Sequence, residues 1–331
     1  MKKTLLSLIV LAASTIPALA VDDNTVEITY SGNSATISIA SNISSYVTVN
    51  SGSSSHVKIA QSATFTGINP TVDNEDGEII YVLKGTSTDG EFYLEGSFKC
   101  TVQLNALTLT NPSGPAINIQ NGKRVEVTLK KGTTSTLADG ANDNYNGCYH
   151  SKGHTEFKGK GTLNIVGNSR HAIYSKEYIE VKNSTINITA AQKDGIHCKE
   201  YFLMESGTLK INGVLDDGIQ VELDGKTSTG TIADHEDEDS GNFYMEDGTL
   251  SITNYGGKAI KADGTITYSG GKQNFDTADT QTFAGVNLPN TELIAASAIY
   301  DLNGRPVNGT PTRSGIYFVR RNGQVVKMMV R

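Results

Sequence analysis

The segment KDGIHCKEYFLMESGTLKINGVLDDGIQVE, from Lys193 to Glu222, contains the tripeptide Asp-Gly-Ile twice. The two copies begin at Asp194 and Asp217, 23 residues apart, and Gly-Thr-Leu stands between them. A fixed interval of this length is typical of one coil of a solenoid. A single coil cannot bury its apolar side chains alone, so equivalent residues must stack on each other in successive coils. The interval therefore predicts that Asp194 and Asp217 are vertical neighbours.

The same pattern extends in both directions from this segment. A small residue followed by Ile or Tyr recurs at Ala116, Cys148, Ala172, Gly195, Gly218 and Ala259. A second apolar column recurs at Leu107, Leu163, Ile186, Leu209 and Leu250. Each period holds three short alternating strands separated by Gly, Asn or Ser, and helical spacing is absent. We therefore predict an all-β fold, a right-handed parallel β-helix with an N-terminal β cap and a small C-terminal β module.

The first twenty residues have the features of a signal peptide. Lys2 and Lys3 precede an apolar stretch, and Ala18-Leu19-Ala20 is a cleavage signal. The apolar stretch is too short to span a bilayer, so we expect cleavage, export and no transmembrane segment in the mature chain.

The pattern of strands and turns divides the remaining chain into four parts. After the signal peptide at 1–20, we predict a β cap at 21–75, the parallel β-helix at 76–270, a linker at 271–295 and a C-terminal module at 296–331. Two long insertions interrupt the repeats, at 137–147 and at 223–241. Long loops on a solenoid usually lie on its working face.

Charge and cysteine content exclude some functions. The formal net charge is −7, and loss of Lys2 and Lys3 with the leader would make it −9. A nucleic acid is therefore not an expected partner. The three cysteines are an odd number, are widely spaced and form no CxxC pair, so we expect small buried residues in the core.

Alternation within the repeat predicts a polar stripe on one wall of the solenoid. If the small residue and the one after it face inward or along the strand, the residues two and four positions later face solvent. These candidate carbohydrate-binding residues are His150, Lys152, Tyr174, Lys176, His197, Lys199 and Gln220. Lysines in register suit the carboxylates of uronic acids. The alternative is an ordinary solvated face, because outward positions are polar in any case.

Acidic residues on two adjacent coils suggest a calcium site. The candidate ligands are Asp194, Asp216, Asp217 and Glu222, because Ca²⁺ prefers several carboxylate oxygens. The loop residues Asp234–Asp239 could add ligands, or could simply be hydrated. His150, His171 and His197 lie on several coils and do not form a zinc pattern.

Several ordered motifs resemble a bacterial carbohydrate-binding β-helix family, long described as a domain of unknown function. The matching segments are YVLKGTSTDGEFYLEG, AINIQNGKRVEVTL, GHTEFKGKGTLNI, HAIYSKEYIEVK, DGIHCKEYFLMESGTLKI and DDGIQVE, within 25–268. The resemblance implies a fold like that of polysaccharide lyases, bound calcium, and binding of cellulose or acidic, pectin-like sugars. The acidic positions of the family fall at Asp194 and Asp217, with Asp216 beside them. Lys258 replaces the aspartate in the next coil, which puts a ligand there in doubt.

The last 35 residues resemble the C-terminal sorting domain of type IX secretion. The matching segments are IYDLNGRPV, GIYFVRRNG and the terminal VVKMMVR. The resemblance implies that the type IX machinery is a partner and that the product is secreted or held on the outer cell surface. The alternative is a β cap that stays on the protein.

Three functions are compatible with these features. The first is a calcium-binding, noncatalytic protein that binds a polysaccharide. The second is a polysaccharide lyase acting on uronic-acid polymers, with Lys176 or Lys199 as base, although no residue pattern singles out a catalytic group. The third is a cell-surface adhesin without a specific glycan.

Overall fold

A computed structural model describes residues 21–142, 144–225 and 238–276, and, near the C-terminus, 298–301, 306–307, 311, 315–321 and 324–330. The predicted signal peptide and most of the predicted linker lie outside the described residues. The chain divides into two compact units, 1–275 and 276–331. Within the described residues, no helix has the length and apolar character needed to cross a membrane.

The first unit is a parallel β-helix, as predicted. Its N-terminal elements are β1 Thr25–Ser31, β2 Ser34–Ile39, a 3₁₀ helix Ser41–Tyr46, β3 Val47–Val49, β4 His56–Gln61, β5 Ile79–Ser87, β6 Glu91–Glu95 and β7 Cys100–Asn111. Three-strand coils follow. They are β8 Ile117–Ile119, β9 Val125–Leu129 and β10 Thr134–Asp139; β11 Gly147–Ser151, β12 Thr155–Lys158 and β13 Thr162–Gly167; and β14 His171–Ser175, β15 Ile179–Val181 and β16 Thr185–Ala191. The last coils are β17 Ile196–Lys199, β18 Tyr201–Met204 and β19 Thr208–Val214; β20 Ile219–Glu222, β21 Asn242–Met245 and β22 Thr249–Tyr255; and β23 Ile260–Ala262, β24 Ile266–Tyr268 and β25 Lys272–Phe275.

Two sheets form the walls of this unit. A nine-stranded sheet runs β23-β20-β17-β14-β11-β8-β6-β4-β3, and a 16-stranded sheet contains the other two strands of every coil. The two strands of the larger sheet are joined through β7, whose first half pairs with β9 and whose second half pairs with β10. The two strands that β7 pairs with, β9 and β10, are separate, so the bend between these two walls of the coil first occurs in the coil after β7.

The predicted apolar columns are confirmed by the strand register. Ile173 pairs with Ile196, Ile196 with Ile219, and Ile219 with Ile260 in the nine-stranded sheet. In the larger sheet, the column Leu163, Ile186, Leu209 and Leu250 is equally continuous. The predicted member Leu107 is not the next residue of this column, because Leu163 pairs with Ser135 on that side. These side chains are buried and form the interior. The three cysteines are unpaired and buried there too, as predicted.

The glycines of the two Asp-Gly-Ile copies are required by the close approach of the opposite wall. A Cβ on Gly195 would lie 2.7 Å from Cγ2 of Ile211, and one on Gly218 would lie 2.4 Å from Cγ2 of Ile252. Real Cβ atoms do not approach other atoms so closely. In these two coils a bulky interior isoleucine therefore selects glycine.

The N-terminal strands β1 and β4 each add a parallel strand to one sheet, and β2 and β3 then close the edges of these sheets. β1 pairs in parallel with β5, and β4 pairs in parallel with β6. Their other neighbours, β2 and β3, are antiparallel to them. An antiparallel partner covers the backbone groups of an edge strand.

The second unit contains a four-stranded antiparallel sheet. Its strands are β26 Ala298–Asp301, β27 Pro306–Val307, β28 Gly315–Arg321 and β29 Gln324–Val330, in the order β27-β26-β28-β29.

Candidate functional site

The predicted polar stripe forms a vertical column on the nine-stranded sheet. His150 pairs with Tyr174, Tyr174 with His197, and His197 with Gln220. The rings of His150 and Tyr174 are stacked, with centroids 5.1 Å apart and planes at 10°. The ring of His197 follows at 5.5 Å from Tyr174. Backbone pairing in parallel coils therefore aligns three rings that are far apart in the sequence.

The prediction that this whole column is exposed is wrong for His150 and Gln220, which are only 7% and 8% exposed. Tyr145, from the first insertion, packs edge-on against His150 with ring centroids 5.3 Å apart. The backbone N–H of Asn146 donates to Nδ1 of His150 at 3.3 Å. Burial, with a smaller contribution from Lys152, lowers the pKa of His150 to about 4. His150 is therefore neutral at pH 7.

The three predicted lysines differ in their surroundings. Lys152 and Lys176 are exposed beside the column, as a contact with an acidic sugar requires. Nζ of Lys199 lies 3.1 Å from Oδ1 of Asp224. Burial alone would lower the pKa of Lys199, but Asp224 outweighs it, and the net shift is upward. A lysine held protonated in this way is poorly suited to act as a base.

Asp194 lies at the centre of a buried polar cluster beside the column. Its Oδ2 atom is 3.2 Å from Nδ1 of His171 and 3.0 Å from Nδ1 of His197. Its Oδ1 atom accepts a hydrogen bond from the backbone N–H of Asp217 at 3.0 Å. Burial opposes ionisation of Asp194, but hydrogen bonds from His171 and His197 outweigh it and hold its pKa well below the usual value. Asp194 is therefore an ionised carboxylate.

Three of the four predicted calcium ligands converge. Asp194, Asp216 and Asp217 each offer an oxygen, and these oxygens lie within 4.8 Å of one another. Burial raises the pKa of Asp217; the backbone N–H of Lys258 opposes this shift, and the charges of Asp194 and Asp216 add to it. Nζ of Lys261 lies 3.5 Å from Oδ2 of Asp217, so a lysine already supplies part of the positive charge beside this carboxylate. Gly257 leaves the space that these oxygens use, because a Cβ there would lie 2.3 Å from Oδ1 of Asp217. These residues fit a hard divalent cation.

The fourth predicted ligand, Glu222, lies apart from this group. It is five residues beyond Asp217 on the same coil, a distance of roughly 16 Å along an extended strand. Its Oε2 atom is 3.3 Å from Nε2 of His197, whose other nitrogen faces Asp194. The imidazole therefore stands between the two carboxylates, and the prediction that Glu222 joins Asp194 in one metal site is corrected.

The predicted acidic loop is only partly described, because residues 226–237 lie outside the described residues. Oδ1 of Asp239 accepts a hydrogen bond from the backbone N–H of Asp224 at 2.8 Å. The carboxylate of Glu238 accepts hydrogen bonds from Asn242 at 3.0 Å and from Tyr244 at 2.6 Å. Within the described part, both acids have structural partners.

The sequence reasoning missed two clusters that contain histidine. His171 and His197 bring ring nitrogens to within 4.8 Å of an oxygen of Asp194, although their spacing in the sequence is not that of a zinc motif. At the next corner of the coil, Nε2 of His154 lies 3.1 Å from Glu177 and 3.3 Å from Glu200. The signal was present, because His154, Glu177 and Glu200 follow each other at the interval of one coil, 23 residues.

Comparison with known proteins agrees with this architecture. Residues 67–304 match the family model described as carbohydrate-binding domain-containing protein. A solved structure, the polysaccharide lyase-like protein from C. thermocellum in a gadolinium derivative, superposes with a TM-score of 0.56 and 19% identity, over 75% of this chain and 99% of the other. Comparison with curated proteins gives no match. Because the family model covers more than half of its length, the chain belongs to the family of carbohydrate-binding domain-containing proteins.

Proposed function

We propose that this protein is an exported, calcium-binding, noncatalytic protein that binds a cellulose-like or acidic, pectin-like polysaccharide. The observation that carries the proposal is the column His150, Tyr174 and His197, whose rings stand one coil apart beside the exposed Lys152 and Lys176. A polysaccharide is itself a regular repeat, so a regular wall can offer equivalent contacts to successive sugars.

Each part of the column would have a separate role in recognition. The ring of Tyr174 would pack against the apolar face of a sugar, and its hydroxyl would bind a sugar hydroxyl. Lys152 and Lys176 would pair with uronate carboxylates, where the glycan has them. Gln220 and Lys199 already have protein partners, Glu222 and Asp224, so they would contribute less.

Calcium would be held by Asp194, Asp216 and Asp217. Bound there, it would supply positive charge next to the column and lower the raised pKa of Asp217 towards its usual value. Asp194 and Asp217 also bind the backbone of the following coil. The ion would therefore stabilise the two turns that lead into β17 and β20.

Export completes the proposal. The predicted signal peptide, residues 1–20, would direct the chain across the inner membrane, and the predicted module at 296–331 would address it to the type IX secretion machinery. The protein would then be secreted or held on the outer cell surface. Mass spectrometry of the cell fractions and of the extracellular protein tests this part of the proposal, since an uncleaved N-terminus contradicts the signal peptide and cytoplasmic retention contradicts export.

Retention on insoluble cellulose and on polygalacturonate tests the binding function. We expect the mature protein to be retained on at least one of them, and less so in the presence of a chelator. The double variant Lys152→Ala/Lys176→Ala should lose retention on polygalacturonate. The matched control Lys130→Ala/Lys160→Ala removes two exposed lysines from a different corner of the coil. Lack of retention of the wild type on both polymers would refute the proposal.

A lyase remains a second candidate, because the structural neighbour is described as polysaccharide lyase-like. At 19% identity this likeness shows the fold alone. The pairing of Lys199 with Asp224 argues against Lys199 as a base. Incubation with pectin, with and without chelator, would reveal a lyase by the ultraviolet absorbance of its unsaturated product.

A further inference from the structure

The column on the nine-stranded sheet continues beyond His150 towards the N-terminus. His150 pairs with Asn118, Asn118 with Tyr93, and Tyr93 with Lys58. Tyr93 therefore stands two rungs below His150, about 10 Å away at the usual strand spacing. The column thus has a second tyrosine outside the segment in which the candidate sugar contacts were predicted.

A cleft opens at this end of the column. It has a volume of about 200 Å³, and its walls include His56, Lys58, Glu91, Tyr93, Asn142 and Tyr145. The last two residues come from the first insertion in the repeats, the others from β4 and β6. The insertion therefore forms a side wall against the sheet.

This wall is held in place by hydrogen bonds and ring contacts. Nδ2 of Asn142 donates to the backbone carbonyl of Ser113 at 2.8 Å, and its backbone N–H donates to Oγ of Ser169 at 3.3 Å. The ring of Tyr145 packs edge-on against His150, the next ring of the column. The cleft is thus preformed and continuous with the proposed binding surface.

The lining of the cleft suits a sugar without charge. Tyr93 and Tyr145 are both partly exposed and present aromatic rings to the cleft. The hydroxyl of Tyr93 donates to Oε1 of Glu95 at 2.5 Å. Lys58 lies over the Tyr93 ring, its Nζ 5.7 Å from the centroid. Oε1 of Glu91 accepts a hydrogen bond from Asn118 at 3.1 Å, and its Oε2 is 3.9 Å from His56. The positive charge of Lys58 is balanced by the negative charge of Glu91, so the net charge of the cleft favours neither an acidic nor a basic sugar.

We infer that this cleft is a further sugar subsite, which takes one uncharged pyranose unit at the N-terminal end of the column. The inference rests on the proposed polysaccharide-binding function and adds to it a position and a preference. Tyr93 and Tyr145 pack against the ring of the sugar, and Nζ of Lys58 and Oε2 of Glu91 bind its hydroxyls. The lysines beside Tyr174 serve acidic units, and the cleft serves neutral ones.

Calorimetric titration of the mature protein with cellohexaose and with hexagalacturonate tests this assignment. Tyr93→Ala and Tyr145→Ala should each weaken cellohexaose binding about tenfold, which corresponds to roughly 1.4 kcal/mol. Tyr145→Phe keeps the ring and should bind within about twofold of the wild type. Tyr244→Ala, a change of a partly buried tyrosine on another wall, is the control and should leave binding unaltered. Circular dichroism and the thermal midpoint of each variant check that it is folded.

The outcomes separate the subsite from the general function. Cellohexaose binding that is unaltered in both cleft variants would overturn the subsite and leave the proposed function in place. Binding of hexagalacturonate but not of cellohexaose by the wild type would do the same. A wild type that binds neither oligosaccharide would overturn the proposed function, and the subsite with it.

Discussion

Oδ1 of Asp194 accepts a hydrogen bond from the backbone N–H of Asp217, its counterpart one coil later, at 3.0 Å. Asp217 repeats this contact with the backbone N–H of Lys258 at 2.6 Å, and Nδ1 of His171 lies 3.3 Å from the backbone N–H of Asp194. A side chain at this position thus reaches the backbone of the next coil. The repeated Asp-Gly-Ile therefore has a structural reason as well as a proposed metal-binding one.

Replacement of Asp194 by Ala tests its structural role through the stability of the protein in the absence of calcium. Asp194 is 1% exposed and ionised, and its loss leaves His171, His197 and the N–H of Asp217 without their acceptor. Breaking a buried charged network of this kind costs about 3 kcal/mol. We expect urea unfolding in the presence of a chelator to show this loss.

The exposed neighbour Asp216 provides the matched variant. Asp216→Ala should alter stability in chelator by no more than about 0.5 kcal/mol, but should abolish the stabilisation that added calcium gives the wild type. The same unfolding curves, recorded with and without calcium, measure both effects. Equal stabilisation of the wild type and Asp216→Ala by calcium would contradict the proposed site.

Tyr174 is expected to supply the aromatic contact of the central column. Tyr174→Ala should weaken binding of the retained polysaccharide about tenfold, the effect of losing roughly 1.4 kcal/mol. Tyr174→Phe keeps the stacking face and should keep most of the affinity. Affinity electrophoresis in gels that contain the polysaccharide measures the difference. If Phe and Ala at this position were equally weak, the hydroxyl rather than the ring would be the contact.

The fold and the alignment of the site could be predicted from the sequence because they depend on one repeated quantity. Once Ile196 and Ile219 share an interior column, strand geometry fixes which residues are vertical neighbours. His150 and Gln220 could not be placed correctly, because exposure depends on what covers a position. Tyr145 covers His150 from the first insertion, whose path the 23-residue interval does not determine.

Side-chain partners outside the repeat were also beyond prediction. Asp224, which pairs with Lys199, lies at the start of the second insertion, where the interval no longer applies. Glu222 was grouped with Asp194 because their coils are adjacent, but position along the strand separates them across the ring of His197. The repeat gives the order of the coils but not the contacts made by its interruptions.

Asp139 should make stability depend on pH between about 4 and 6. Burial raises its pKa to about 6, although backbone N–H groups of Asn168 and Ser169 partly oppose the shift. Its protonated form is therefore favoured in the native state, and stability falls as pH rises from about 4 through 6. Asp139→Asn should stabilise the protein by up to about 3 kcal/mol at pH 8 and by almost nothing at pH 4. Urea midpoints at the two pH values measure this difference; a variant less stable than the wild type at pH 8 would contradict it.

His150 should have the opposite dependence. Its pKa of about 4 in the native state lies below the value near 6.5 expected in the unfolded chain. The unfolded state therefore binds more protons between these values, and stability is lost as pH falls from about 6.5 to 4. His150→Gln keeps an acceptor for the N–H of Asn146 and removes the titration. Between pH 6.5 and 4, the wild type should lose up to about 3 kcal/mol more of its unfolding free energy than the variant does. A stability difference that stays constant over this range would show that His150 does not titrate there.

Gly218→Ala tests the stacking of the coils itself. The new methyl group would lie 2.4 Å from Cγ2 of Ile252 and 2.5 Å from the carbonyl oxygen of Ala259. One contact is with the opposite wall and the other with the next coil, so neither can be relieved by rotating the new side chain. Overpacking of this kind costs about 1–3 kcal/mol. Gly122→Ala is the matched control, because its Cβ would meet no atom within 4 Å, and it should be neutral or stabilise by up to about 1 kcal/mol through the unfolded state. Equal stability of the two variants in urea would mean that Gly218 is not enclosed between coils, and the register on which the candidate site depends would have to be abandoned.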